Sequence, residues 1–383
     1  MSWEQRIHKY LSIQMFTDKW RERYIIDENN TRLLRVGKKI YINFSSNDYL
    51  GLNRHPLIIK SWNQGMSLAG VGASASGHIT GFSKYHADLE MQIADWLGYS
   101  RALLFISGFN ANQAVINLLA KKNDHIIADK LIHASLVDAV THSPAKLYRF
   151  NHNIMESLMF YLNISCAGEK LVLTEGIFSM DGDKAPLKII YKTAQESKSW
   201  LLVDDSHGIG IIGDEGRGSC WSEGVKPELL TISFSKAFGI SGGALLCEKD
   251  TADYFLQFSK HLIYSTCMPP AQAFALQTAL NLVKKSKYLR YRLNENIKYF
   301  QMGIKSTPWK IISSNSAIQP LIIGDICNAK VISMKLAKAG CWVNVIKPPT
   351  VLTGTTRIRI TLSAVHKFED IDILLEALNH AAR

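Results

Sequence analysis

Along the first three quarters of the chain, brief apolar runs alternate with stretches of helical period. The runs lie at residues 101–106, 125–128, 170–174, 200–204, 229–234 and 243–247. None keeps a period-two alternation for long, which predicts strands buried on both faces, as in a parallel sheet. Between them the spacing of apolar positions predicts helices, for example over residues 111–120 and 187–196. Strand and helix taking turns predicts an α/β architecture with helices covering a mostly parallel sheet. Past Met268-Pro269-Pro270 the period is helical from about residue 271 to 305, and a smaller α+β unit follows, with strands near residues 317–323, 342–346 and 357–362. The expected division is an N-terminal segment over 1–45, a large domain over 46–285 and a small C-terminal domain over 286–383.

Composition narrows the class without changing that picture. With 47% hydrophobic and 20% charged residues the chain reads as a globular protein. No apolar run reaches the roughly 18 residues of a membrane span, and residues 1–19 mix charges where a signal peptide would be apolar. A cytoplasmic protein without a membrane partner is expected. The cysteines at 166, 220, 247, 267, 327 and 341 form no C-x-x-C pair, so the expectation is free thiols in a reducing compartment and no metal site. The net charge of +11 favours acidic partners. Its densest run is Lys284-Lys285-Ser286-Lys287 with Arg290 and Arg292. That run reads either as a solvated helix face or as a docking patch for an acidic carrier; a nucleic-acid partner is not expected.

Ligands of open α/β sheets bind beyond the carboxyl ends of the strands. After the run at 101–106 comes Ser107-Gly108-Phe109 and a helix, whose first N–H groups suit a phosphate or serve an ordinary cap. After 125–128 comes His133, either a ring-stacking group or a satisfied polar residue. After 200–203 comes Asp204-Asp205-Ser206-His207, where an acid facing a pyridine nitrogen keeps it protonated. After 229–234 comes Ser235-Lys236, a lysine placed either to form a Schiff base in partial desolvation or to reach solvent. Together the four strand ends supply what pyridoxal 5′-phosphate needs. Two other motifs fail on context. Gly208-Ile209-Gly210-Ile211-Ile212-Gly213 matches a dinucleotide fingerprint, but Asp-Ser-His separates it from its strand and no helical pattern follows. Gly239-Ile240-Ser241-Gly242-Gly243 matches a nucleophile elbow, but a strand pattern follows it.

The chain resembles the α-oxoamine synthase family of fold-type-I pyridoxal-phosphate enzymes over nearly its whole length. The resemblance is carried by Asn43-Phe44-Ser45-Ser46-Asn47-Asp48-Tyr49-Leu50-Gly51-Leu52, residues 103–111, Thr174-Glu175-Gly176-Ile177-Phe178-Ser179-Met180-Asp181-Gly182-Asp183 and His261-Leu262-Ile263-Tyr264-Ser265-Thr266. It implies a large, mostly parallel seven-stranded sheet domain and a smaller α+β domain. It also implies a decarboxylative condensation of L-alanine with a pimeloyl thioester, carried by acyl-carrier protein or coenzyme A, in a homodimer with shared active sites. By matching position, Lys236 carries the cofactor and acts as base, and Asp204 meets the pyridine nitrogen. His207 and Ser179 serve the ring hydroxyl, and His133 stacks on the ring. Gly108 and Phe109 cradle the phosphate with Ser233, and Thr266 reaches the phosphate of the partner subunit. Arg21, Asn47, Thr350 and Arg359 match substrate-holding positions, Arg359 with a bidentate grip on the amino-acid carboxylate. Ser233 stands where the family usually has threonine, and Lys347 stands in an arginine position, keeping the charge but losing the planar fork. The loop over residues 72–77 is poorer in glycine than in relatives.

Overall fold

The computed structural model describes residues 1–382. The chain divides into two compact units, one formed by Asn47–Ser179 and Asp183–Tyr291, the other by Met1–Ser46, Met180–Gly182 and the chain from Arg292 onward.

The larger unit is built on seven strands: β1 (Arg101–Phe105), β2 (His125–Asp129), β3 (Lys146–Phe150), β4 (Lys170–Glu175), β5 (Trp200–Asp204), β6 (Leu229–Ser233) and β7 (Gly243–Cys247). Their order is β1-β7-β6-β5-β4-β2-β3. Strands β2 to β6 pair in parallel, and β7 runs antiparallel to both neighbours, which sets Gly243 opposite Phe105 on one side and Ser233 on the other. Every residue of β2, β6 and β7 is buried. On one face Leu103, Leu173, Leu202 and Leu245 pack with Val115 and Ile116 of the helix Gly108–Leu119 and Leu136 of the helix Ala134–Thr141. Each such side chain contributes about 1.5–3 kcal/mol by leaving water. Strand β3, with sequence KLYRF, lies at the sheet edge and is buried fully only at Phe150. Its mixed pattern is why the apolar runs did not reveal it.

The long helical period is two helices, Pro270–Lys285 and Lys287–Ile304, separated at Ser286. The Arg290 guanidinium reaches back to the Val283 carbonyl at 2.5 Å and the Lys284 carbonyl at 3.4 Å. It thereby satisfies acceptors that a helix end leaves open. That residue of the basic run is buried, so it belongs neither to a solvated face nor to a docking patch.

The smaller unit holds two sheets. Ile318–Gly324, Thr356–Thr361 and Asn344–Ile346 form an antiparallel three-stranded sheet, while Glu28–Asn29, Leu33–Val36, Lys39–Asn43 and Cys341–Trp342 form the other. The single strand expected over 342–346 is thus two strands in two sheets, parting at Val343. A bidentate Arg32–Asp370 pair at 2.7 and 2.8 Å ties the N-terminal strands to the last helix, Phe368–Ala381. The first helix, Trp3–Phe16, opens on a Ser2–Gln5 capping box and buries none of its residues.

Candidate active site

The carboxyl ends of β1, β2, β5 and β6 open on a cavity of about 200 Å³. Gly108, Phe109, His133, Asp204, His207, Ser233 and Lys236 all border it. Four strand ends far apart in sequence therefore meet at one place, as expected for a sheet whose ligand lies beyond its carboxyl edge.

At the cavity floor Asp204 is buried at the last position of β5. Its Oδ1 accepts the Ser206 N–H at 3.0 Å, and its Oδ2 accepts Asn112 Nδ2 at 2.6 Å. The Asn112 carbonyl in turn accepts the Thr231 hydroxyl at 2.7 Å. These bonds hold the carboxylate in one orientation. Glu175 ends β4, directly beside Asp204 in register. It is fully buried, and one oxygen accepts the Ser179 N–H at 3.2 Å. Burial, and then the Asp204 charge, push its carboxyl well above the usual range.

At one wall the helix Gly108–Leu119 begins. Ser107 caps it, with Oγ accepting the Asn110 N–H at 3.1 Å. The N–H groups of Gly108 and Phe109 belong to the first turn, which has no carbonyl within the helix to receive them. Gly108 lets the turn come close to β6, since a Cβ there would lie 3.0 Å from Ser233 Cβ. The hydroxyls of Ser233 and Ser235 meet at 2.8 Å beside it. A phosphate monoester matches this pair of amides, the hydroxyls and the positive end of the helix.

Opposite, Lys236 sits half-buried in the turn after β6. His207 is buried, with Nδ1 2.5 Å from the Tyr49 hydroxyl. His133 caps the helix Ala134–Thr141, its Nδ1 accepting the Ser135 N–H at 3.2 Å. Burial lowers the His133 pKa, Lys236 adds to that and Asp204 opposes it. The donor set of amides, lysine, buried acid and two imidazoles fits pyridoxal phosphate.

Gly208, the first glycine of the rejected dinucleotide motif, has another purpose, shared with Gly176 and Gly218. Asp205 is buried, accepts the Ser219 N–H at 2.6 Å, and is pushed up to about 7 by burial. A Cβ at Gly176 or Gly208 would lie 2.1 Å from its Oδ1, and one at Gly218 would lie 2.2 Å from its Oδ2. The glycines make room for a carboxyl that anchors the loop. Ser241-Gly242-Gly243 leads into β7, so the nucleophile-elbow geometry is absent there.

Other expected site residues lie elsewhere. Ser179 is buried next to Glu175, and Asn47 is partly buried at the start of the larger unit. Thr266 borders a second cavity, of about 310 Å³, with His261, Cys267 and β1. In the adjoining loop Ser74 takes φ 64°, a conformation in which glycine would be unstrained. Arg21, Lys347, Thr350 and Arg359 belong to the smaller unit. Arg359 is buried, with Nη1 2.9 Å from the Thr361 hydroxyl, while Arg21 and Thr350 are exposed. The Lys347 ammonium is engaged by carbonyls, Asp18 at 2.9 Å and Trp20 at 2.7 Å. It clasps the turn that precedes Arg21. Asp18, at φ 55°, is also paired through its carboxylate with Lys330 at 2.5 Å.

Asn112, Ser135, Glu175, Thr231 and Tyr49 were not singled out from the sequence. The one available signal was Asn112, a polar residue on the helix face that otherwise carries Ala111, Val115 and Ile116. Among the described residues no group of three or more His, Cys, Asp or Glu is arranged to hold a metal ion.

Residues 39–378 match the aminotransferase class I and II family. The 8-amino-7-oxononanoate synthase of Citrobacter koseri is 52% identical over 383 residues, 100% of both chains. That of Yersinia enterocolitica is 53% identical over 379 residues, 99% of both. Among solved structures, Sphingomonas wittichii serine palmitoyltransferase superposes with TM-score 0.91 at 26% identity, covering 99% of this chain and 96% of its own. A serine palmitoyltransferase holding pyridoxal phosphate as an internal aldimine gives TM-score 0.93 at 25% identity over 100% and 99%. The 8-amino-7-oxononanoate synthase of Francisella tularensis gives 0.79 at 28% over 89% and 98%.

Proposed function

This chain belongs to the aminotransferase class I and II family, and we propose that it makes 8-amino-7-oxononanoate from L-alanine and a pimeloyl thioester, releasing carbon dioxide and the free thiol. Seven carbons from pimelate and three from alanine, less one lost as carbon dioxide, give the nine-carbon product. In the reaction a carbon–carbon bond forms between alanine Cα and the acyl carbon as the carbon–sulfur bond breaks. The observation that carries this reading is the convergence of Lys236, Asp204, His133 and the Gly108–Phe109 amides on one cavity.

Pyridoxal phosphate, when bound, supplies a protonated ring that takes up the electron pair left at Cα. Gly108 and Phe109, with Ser233, would hold its phosphate, and Lys236 Nζ would hold its carbonyl carbon until the amine of alanine takes that place and frees it. The Asp204 carboxylate keeps the proton on the ring nitrogen, and His207, steadied by Tyr49, serves the ring hydroxyl with Ser179. Lys236 Nζ removes the Cα proton of alanine as general base. His133 would stack over the ring and would give a hydrogen bond to the acyl oxygen as charge gathers there. Arg359 takes the alanine carboxylate in a bidentate grip, and Asn47 and Thr350 also serve the substrate. Arg21 suits the free carboxylate at the far end of the pimeloyl chain. Lys347, with its ammonium on two carbonyls, serves that arginine indirectly.

The acyl group arrives on acyl-carrier protein or coenzyme A, both acidic, which the net charge of +11 favours. The assembly is a homodimer in which Thr266 serves the phosphate of the partner subunit. Two features support a second copy: the helix Trp3–Phe16 leaves Trp3, Ile7, Tyr10 and Leu11 exposed, and Thr266 lies apart from the cavity of its own chain. The cytoplasm suits its six unpaired thiols.

The test is absorbance of the purified protein with pyridoxal phosphate, then L-alanine, then pimeloyl thioester. A visible band that shifts with alanine, followed by product on adding the thioester, is expected. A protein that stays colourless refutes the role of Lys236. A band that answers glycine or serine but not alanine keeps the family and refutes the substrate.

A further inference from the structure

Asn112 is buried among three polar groups, and their chemistry leaves its amide one orientation. The atom 2.6 Å from Asp204 Oδ2 must carry hydrogen, because a carboxylate oxygen accepts. The second hydrogen of that nitrogen goes to Ser135 Oγ at 2.9 Å, and the amide carbonyl takes the Thr231 hydroxyl at 2.7 Å. Ser135 Oγ, having accepted from Asn112, has one hydrogen of its own to give. Its neighbour is His133 Nδ1, at 2.8 Å. The Ser135 backbone N–H points to the same nitrogen at 3.2 Å. A ring nitrogen met by two donors keeps its lone pair, so the proton of the neutral imidazole is on Nε2.

We propose that Asn112 and Ser135 are positioning residues that hold His133 as the Nε2–H tautomer, so that it presents an N–H donor toward the acyl oxygen of the substrate. The inference deepens the functional reading above and rests on its placement of His133 at the substrate. It assigns Asn112 two tasks through one amide, since the group that steadies Asp204 also sets the hydroxyl that fixes His133. Rotating the amide to repair one bond would break the other. The direction agrees with the environment of the ring. A charged imidazole would bring a hydrogen on Nδ1 against two donors, and burial already disfavours that form.

The experiment is nitrogen NMR of the cofactor-free protein labelled at histidine. The signal of His133 is identified among the 12 histidines by its loss in His133→Asn. The expected result is an unprotonated Nδ1 and a protonated Nε2. Ser135→Ala removes the hydroxyl donor but keeps the backbone one. It should give a measurable share of the other tautomer and lower kcat roughly fivefold, with KM for alanine within about twofold. Ser135→Thr restores the hydroxyl and should restore both readouts. Asn112→Leu, where it folds, should shift the tautomer further and weaken pyridoxal-phosphate binding. A proton on Nδ1 in the unaltered protein overturns the proposal. So does a Ser135→Ala protein indistinguishable from the parent in tautomer and in kcat. The NMR result needs no substrate, so an error in the substrate assignment would show in turnover alone and leave the tautomer standing.

Discussion

The two units hold their charged groups in contrasting ways. In the larger unit Asp204 and Glu175 are buried at strand ends, and Asn112, buried with them, ties Asp204 to Thr231 and Ser135. In the smaller unit Arg21 and Thr350 stand exposed on loops, and Lys347 holds the turn before Arg21 through the Asp18 and Trp20 carbonyls. Groups that move protons need one geometry and a low dielectric, and strand ends provide both. Under the proposed function the groups that meet the acyl chain stand exposed, on loops that can adjust.

The contrast is sharpened most by Lys236→Ala, which should lower turnover by at least about a thousandfold and leave the protein folded. Loss of the visible band, with an unchanged far-ultraviolet dichroism spectrum, checks it. Next comes His152→Ala, which tests how firmly the larger unit fixes the loops around its cavity. The His152 imidazole lies 2.9 Å from Asp129 and 2.8 Å from Asp183. Burial opposes its charge, but the two carboxylates outweigh burial and raise its pKa from 6.5 to about 10. Removing it should cost on the order of 3 kcal/mol, read by urea unfolding at pH 6. Because the folded-state pKa is the higher one, this contribution is complete below about 6.5 and is lost as pH rises through about 10. The gap between the parent protein and His152→Ala should therefore narrow across that window. A gap that widened with pH would show that the imidazole is not charged in the fold.

In the smaller unit Lys347→Met should raise KM for the pimeloyl thioester about tenfold with kcat little changed. Lys347→Arg, which also donates to carbonyls, should recover most of the loss. An equal fall in kcat would assign Lys347 to the chemistry instead. The smallest effect is expected from Lys285→Glu with Lys287→Glu, both on the exposed part of the basic run. KM should change less than about twofold with a coenzyme A substrate, and a larger change confined to the carrier-protein substrate would restore the docking patch.

Much of this was legible because buried strands are short apolar runs, and whatever polar residue follows them stands out. Gly108, His133, Asp204 and Lys236 were all found that way. Strand β3 escaped, since KLYRF at a sheet edge carries no apolar run. The parting at Val343 is set by partners that no local pattern contains. Ser135 reads as an ordinary helix residue and Asn112 only as a polar residue on an apolar face, and their meaning lies in a meeting with Asp204 and His133 that only the fold makes.

Gly243 faces Phe105 and Ser233 in the same register. The proposed phosphate cradle at Gly108 follows the first of these strands, and the Lys236 turn follows the second. Gly243 lets the Gly108 turn cross the start of β7 and come against Ser233 at the end of β6. Gly243 acts as a gauge block between two tools. A side chain there would strike Gly108 N at 2.5 Å and the Ile232 carbonyl at 2.8 Å, and so would spoil the setting of both at once. One residue without a functional group thus sets the bite of the cavity for a ligand anchored at both ends.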